Sequence, residues 1–269
     1  MRGEPGGCIC KIDQEVKEVQ VKSAKYQFFR GVAVTTEKNI RIYYTKAPVL
    51  IFGLLFPLFL FLSFYLGREI NLYAFFPGLA AMSLFFTASS VGPLITPWEK
   101  QAGTYERLLS FPVSVSVILL GDVIAGMFFG IIISGAVLAV GMGLLGYSVN
   151  ALVLIAGAIA GAFCFASLGV LLASPPVRSP SHIMMLSSLV RFPLVFISGI
   201  FIPLEKLQGA GRALSYVSPI TYLVDMFSFS LKGESHLSLA VDVAALLAFG
   251  GAFLVLSNRF HQKNLMKGM

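Results

Sequence analysis

Six apolar, nearly uncharged runs, at 48–66, 72–96, 113–145, 151–174, 182–202 and 239–257, dominate the chain and decide its solvent. About 20 consecutive apolar residues form a helix that crosses the hydrocarbon core of a bilayer, and a helix satisfies its own backbone groups there. The expected fold is therefore an all-α integral membrane protein with six transmembrane helices. Only 12% of the 269 residues are charged and 57% are hydrophobic, which excludes an ordinary soluble domain, a disordered chain and a disulfide scaffold. Pro57, Pro77, Pro93 and Pro193 fall inside runs, where neighbouring helices can replace the lost hydrogen bond. The 113–145 run is longer than one crossing needs and is expected to tilt or protrude.

Orientation follows from Lys and Arg. With the N-terminus inside, fifteen of these residues fall in inner segments and four (Arg68, Lys206, Arg212, Lys232) in outer ones, Arg191 being left within a run. That is a positive-inside bias. Both termini are expected in the cytoplasm, with residues 1–47 as a cytoplasmic N-terminal region, 48–257 as the six-helix domain and 258–269 as a cytoplasmic tail. The net charge of +7 then reflects orientation and anionic headgroups, so membrane lipids are expected partners and nucleic acid is not. Within the first region, Tyr26, Phe29, Ala33, Ile40, Tyr43 and Tyr44 recur near helical spacing between Lys25, Arg30, Lys38 and Arg41. This predicts an amphipathic interfacial helix over 24–46. A polar leader without membrane contact is the alternative. No short apolar core precedes residue 48, so no cleaved signal is expected.

Catalytic chemistry is not encoded in any recognisable pattern. No phosphate-cradling G-x-x-x-x-G-K-[ST] loop, H-E-x-x-H or G-x-S-x-G is present. Cys8, Cys10 and Cys164 have neither disulfide nor zinc spacing. Catalytic, metal-ligating and cofactor-binding residues are accordingly expected to be none. Ionisable groups within lipid are functional candidates by default, and here they are Asp122 and Arg191. Counted from the inner ends of their runs, both lie roughly 10–13 Å deep at 1.5 Å per residue. Equal depth allows an ion pair; a hydrated Asp122 with Arg191 snorkelling or lining a wet cavity is the alternative. Repeated halves with broken helices, the mark of an ion-coupled carrier, are not evident, which leaves energy supplied from outside the chain.

Two segments carry the functional reading. The inner loop contains Glu99, Lys100, Gly103, Thr104, Tyr105, Glu106, Arg107, Leu108, Leu109 and Pro112. Thr104 can cap a short helix with Glu106 in its first turn, favourable at the positive end of the dipole. That helix is expected to present Tyr105, Leu108 and Leu109 as an apolar knob rimmed by Glu106 and Arg107. The outer segment runs from Gly199 through Pro203 and Glu205 to Tyr216, Pro219, Thr221, Tyr222 and Asp225. Ser218-Pro219 is a helix start. The stretches on either side are too short to cross and read as re-entrant helices, with Tyr216, Tyr222, Phe227 and Phe229 at headgroup depth.

In order and spacing, these segments resemble the type-2 permeases of ATP-binding-cassette exporters, most closely drug and lipid efflux permeases of the daunorubicin-resistance type. The family's inner loop reads Glu-[Arg/Lys]-x-x-Gly-Thr-x-Glu-x-Leu-x-x-x-Pro, matched by Glu99, Lys100, Gly103, Thr104, Glu106, Leu108 and Pro112. Its closing signature is matched from Ser198-Gly199 to Glu205, then at Leu214-Ser215-Tyr216, Pro219, Thr221, Tyr222 and Asp225. Where the family commonly has Lys after a Gly early in the third span, this chain has Asp122. The resemblance implies a permease that exports an amphiphile (drug, lipid or glycolipid) from the cell membrane, paired with a second copy or a paralogue. ATP and magnesium would be held by a separate ATPase subunit docked on the coupling helix of the 97–112 loop, with the 24–46 surface helix nearby. Phe85, Phe86, Phe192, Phe196 and Phe201 are the candidate path lining. An ion-coupled carrier or channel working without an ATPase is the competing reading.

Overall fold

The computed structural model describes residues 26–42, 51, 55–67, 72–110, 114–147, 149–176, 179–201 and 209–268. In chain order the helices are α1 (26–42), α2 (Phe56–Gly67), α3 (Leu72–Gln101), α4 (Thr104–Leu109) and α5 (Val115–Leu145). There follow α6 (Ala151–Leu172), α7 (Pro180–Ile197), α8 (Ala210–Ser215), α9 (Pro219–Lys232) and α10 (Leu239–Gly268). Among the described residues there is no strand. Five segments, Tyr73–Gln101, Val115–Leu145, Ala151–Leu172, Pro180–Ile197 and Leu239–Asn264, are long and apolar enough to cross a membrane. The expected run at 48–66 lies partly outside the described residues. Its described part, α2, has 12 residues, about 18 Å of helix against a core of about 30 Å.

α3 is the hub. Every residue from Phe76 to Pro97 is buried, enclosed by α5, α6, α7 and α9, while α10 leans mainly on α6. Lipid is as apolar as leucine, so helices associate through close contact rather than through exclusion from solvent. A Cβ on Gly92 would stand 2.5 Å from the backbone carbonyl carbon of Gly169, so α3 and α6 touch backbone to backbone. The small-residue row Gly126, Gly130 and Ser134 packs α5 on α3: the first two meet Ala88, and the Ser134 hydroxyl donates to the Ala80 carbonyl at 3.3 Å. On α6, Gly157 and Gly161 receive Met226 and Leu223 of α9. Both rows of small residues therefore serve packing within one chain.

At Pro77 the lost hydrogen bond is replaced locally. Pro77 has no N–H for the carbonyl of Tyr73 one turn back, and the Tyr147 hydroxyl donates to that carbonyl at 2.8 Å. α5, at 31 residues, is about 46 Å long and overshoots the core, as its length predicts. α10 runs on to Gly268, so the expected tail at 258–269 continues the last helix. Asn264 donates to the Ser174 carbonyl at 2.8 Å and ties that extension to the end of α6. α3, α5, α6, α7 and α10 alternate in direction, placing α4 at one end of the bundle and α8 with α9 at the other.

Candidate functional site

At the α4 end, four helices converge on two buried carboxylates. α1 turns Val32, Thr35 and Asn39 inward, one small or polar residue per turn, against the start of α5. Gly121 makes the approach possible: a Cβ there would stand 2.6 Å from the Thr35 Cβ. The Thr36 hydroxyl donates to the Gly121 carbonyl at 3.3 Å. One residue on, Asp122 accepts from Asn39 Nδ2 at 2.7 Å and from the Thr96 hydroxyl at 3.5 Å. Thr96 and Glu99 lie one turn apart on α3, so Glu99 reaches the same place and pairs with Lys38 of α1. Glu99, Asp122 and Asn39 are at most 4% exposed. Charges that far from solvent persist only when paired or hydrogen-bonded, and here α1 supplies the partners.

The short helix joins this cluster. α3 ends at Gln101, and Gly103, at φ 67°, reverses the chain. No atom lies within 4 Å of a Cβ built there, so glycine is required for its backbone angle and not for space. Thr104 does not cap α4 as expected: its hydroxyl donates to the Glu99 carbonyl at 3.2 Å, fastening α4 to α3. The apolar knob also needs correcting. Tyr105 is 4% exposed and points inward, its ring 5.5 Å from Lys100 Nζ. Leu108, one turn on, is half-buried beside it, while Thr104 and Arg107 face out. Covering a large ring is favourable where α3 offers a surface, so the helix turns its apolar side to the protein. Glu106 and Leu109 occupy α4, their side chains lying outside the described set, as does Pro112. Among the described residues the Tyr105 hydroxyl has no hydrogen-bond partner. Burial and the nearby Asp122 and Glu99 raise this phenol above its ordinary 10.0.

The two intramembrane charges do not meet. Among the described residues no ion pair joins Asp122 to Arg191. Arg191 donates from Nη1 to the Ser90 hydroxyl at 2.7 Å and from Nε to the Ser187 carbonyl at 3.3 Å. Ser90 and Thr96 are the α3 contacts of Arg191 and Asp122, and six residues at about 100° each set them on different faces of α3. Of the candidate path residues, Phe85 and Phe86 are at most 1% exposed and sit in the core. Phe192 packs partly buried 6.0 Å from Phe86. Phe196, 61% exposed, lies 5.3 Å from Phe201.

At the opposite end several of the predicted motif residues brace the turns between α7, α8, α9 and α10. Gly199 turns the chain at φ 82°. The Thr221 hydroxyl lies 2.6 Å from the Ser215 carbonyl and 3.1 Å from that of Ser198, and Tyr222 Oη donates to the Tyr216 carbonyl at 2.9 Å. Pro219 starts α9, but the Ser218 hydroxyl donates to the Leu194 carbonyl of α7 at 2.9 Å instead of capping. Asp225 accepts from the backbone N–H groups of His236 and Leu237 at 2.9 and 3.0 Å, closing the turn into α10. Phe227, expected at headgroup depth, is fully buried in the core. Pro203 and Glu205 lie outside the described residues, as do Cys8, Cys10, Tyr43 and Tyr44. Sequence reasoning missed Lys38, Asn39 and Thr96 as partners of the acids. The signal was Thr35 and Asn39, small polar residues one turn apart on the side of α1 away from Tyr26 and Phe29.

A bundle of apolar helices, a six-residue helix latched to buried acids at one end and a folded-back pair at the other define a membrane permease. The chain matches the ABC-2 type transporter model over residues 26–231 and belongs to that family. It is the membrane-spanning subunit of an ATP-binding-cassette exporter. Among its relatives is the inner membrane transport permease YadH of Escherichia coli strain K12, 26% identical over 180 residues, covering 67% of this chain and 70% of the relative. The probable multidrug ABC transporter permease YbhS of the same strain is 26% identical over 184 residues, covering 67% of this chain and 49% of that relative.

Proposed function

We propose that the chain exports an amphiphile across the cell membrane as half of a permease dimer, with its own copy or a paralogue. ATP and magnesium are held by a separate ATPase subunit that presses on α4. The observation that carries this reading is that α4, with Tyr105 buried, is fastened through Thr104 to the Glu99 carbonyl, while Glu99 and Asp122 are joined through Lys38 and Asn39 to α1. A push on Thr104–Leu109 is thereby delivered to α3, α5 and α1 together, because packed elements move as units. ATP binding in the partner would shift the balance between inward-closed and outward-open arrangements. The exposed Tyr26 and Phe29 of α1 suit a helix lying on the inner headgroups. Fifteen inner against four outer Lys and Arg support cytoplasmic termini and six crossings over 48–257. α8 and α9, with the Tyr216–Asp225 network, then act as a re-entrant outer gate through which the substrate leaves into lipid or beyond.

Export and ATP hydrolysis are measured separately in proteoliposomes holding the permease with its ATPase. Tyr105→Ala should leave hydrolysis running while export falls about tenfold, the uncoupling expected when a lever loses its attachment. Full export by Tyr105→Ala removes the lever. Full export by vesicles lacking the ATPase instead establishes the ion-coupled carrier or channel.

A further inference from the structure

A guanidinium sits in the middle of α7 with no acid beside it among the described residues. Arg191 is 3% exposed, its hydrogen bonds go to a hydroxyl and a carbonyl, and no carboxylate pairs with it among the described residues. Dipoles of that kind hold its direction but leave its charge uncompensated. Arg191 lies eleven residues from Pro180, where α7 begins, and Ser90 eleven from Gln101, where α3 ends. Both are about 16 Å from the α4 end at 1.5 Å per residue, near the midplane of a core of about 30 Å. A charge kept there marks a route for a charged solute.

The surroundings say what kind. Phe192 follows Arg191 in the chain and Phe86 is one turn from Ser90. With Phe56 of α2 they form an aromatic cluster, centroids 4.9 Å apart for Phe56 and Phe86 and 5.4 Å for Phe56 and Phe192. A cation against an apolar aromatic surface complements a molecule with an anionic head and an apolar body. A second permease copy seated on the exposed face of α7 would not supply the missing charge. α7 buries Ile183, Ser187, Arg191 and Val195 on one side and exposes Met185, Leu189 and Phe196 on the other. A chain docked on that exposed face would look away from Arg191.

We propose that the α3–α7 seam at Arg191 is the subsite for the anionic group of the substrate, a membrane-borne amphiphile with a phosphate, sulfate or carboxylate head. This rests on the reading of the chain as an amphiphile exporter and adds that the substrate crosses between these two helices. Opening the seam exposes the guanidinium, which binds the head by charge-assisted hydrogen bonds, while Phe86 and Phe192 cover the adjoining apolar stem.

Hexadecyl phosphate, hexadecanol and hexadecyltrimethylammonium share a tail and differ in head charge. Their equilibrium binding is measured, without ATP, on the permease–ATPase complex in phosphatidylcholine nanodiscs. The phosphate should bind about tenfold tighter than either other probe; equal binding of all three to the wild type overturns the proposal whatever the variants do. Arg191→Gln should abolish the preference and Arg191→Lys keep most of it, whereas an undiminished preference in Arg191→Gln overturns it. Excess inorganic phosphate should not displace the probe, and displacement overturns the assignment to an amphiphile. A complex that shows the Arg191-dependent preference but moves no probe with ATP upholds the anion subsite and refutes only the export route.

Discussion

Asn39 and Asp122, eighty-three residues apart, are joined by a 2.7 Å hydrogen bond in which neither residue is more than 1% exposed. The bond fastens an N-terminal helix to the first turns of a long membrane helix at the depth of the coupling segment. Among the described residues, removing the donor leaves the buried carboxylate with only the 3.5 Å contact from Thr96. Asn39→Leu should therefore cost about 1.5–3 kcal/mol, the range for hydrogen bonds to charged groups. Asp122→Asn in the same background should cost less than the sum of the single changes, because each removes the same interaction. Thermal unfolding in detergent of the two single variants and the double variant reads this directly, and strict additivity would refute the pairing.

Tyr105 predicts an alkaline weakness. Its buried phenol, held beside Asp122 and Glu99, keeps its proton at a pH where the unfolded chain releases it. A raised folded value means stability fully present below the ordinary 10.0 and lost as the pH climbs above it. The wild type should lose unfolding free energy above pH 10 more steeply than Tyr105→Phe. At neutral pH the same substitution should be neutral or slightly stabilising, since it removes a buried hydroxyl without a partner. Parallel slopes for the two proteins would show that the phenol titrates normally.

Length and hydropathy made α3, α5, α6, α7 and α10 legible, because crossing a bilayer demands a run that few other structures need. The place of α4 was legible too, since Gly103 breaks α3 and a capable helix former follows. Rotation about each helix axis was not. A helix apolar all round carries no stripe to say which face is buried, so equal depth could suggest an Asp122–Arg191 pair that the geometry of α3 separates. The same blindness put Tyr105 outside. What did orient the helices was small residues, Gly92, Gly126 and Gly169 among them, whose contacts require a particular face.

Those contacts give a paired test. At Gly92 a Cβ would meet the Gly169 carbonyl carbon at 2.5 Å, and backbone has no side-chain freedom with which to move aside. Gly92→Ala should destabilise by about 1–3 kcal/mol or more, the cost of overpacking a tight interior. Gly135 is also in a membrane helix, with nothing within 4 Å of its Cβ position. Gly135→Ala should be neutral or stabilising, because alanine is the better helix former. Comparing the melting temperatures of the two purified variants separates close packing from a general need for glycine.

Tyr147 offers the most specific test, because its role is tied to an absent atom elsewhere. Its hydroxyl donates at 2.8 Å to the Tyr73 carbonyl, the group that residue 77 would bond were it not proline. The ring also stacks on Tyr73 at 4.4 Å, so phenylalanine keeps the packing and removes only the donor. Tyr147→Phe should cost about 0.5–1.5 kcal/mol, the net worth of one hydrogen bond. Pro77→Ala returns an N–H to the helix at the position one turn along, so the double variant should recover most of that loss. Unfolding of the single and double variants in the same detergent settles it. If Pro77→Ala gives no more rescue in the Tyr147→Phe background than it gives the wild type, the hydroxyl is not standing in for the missing backbone donor.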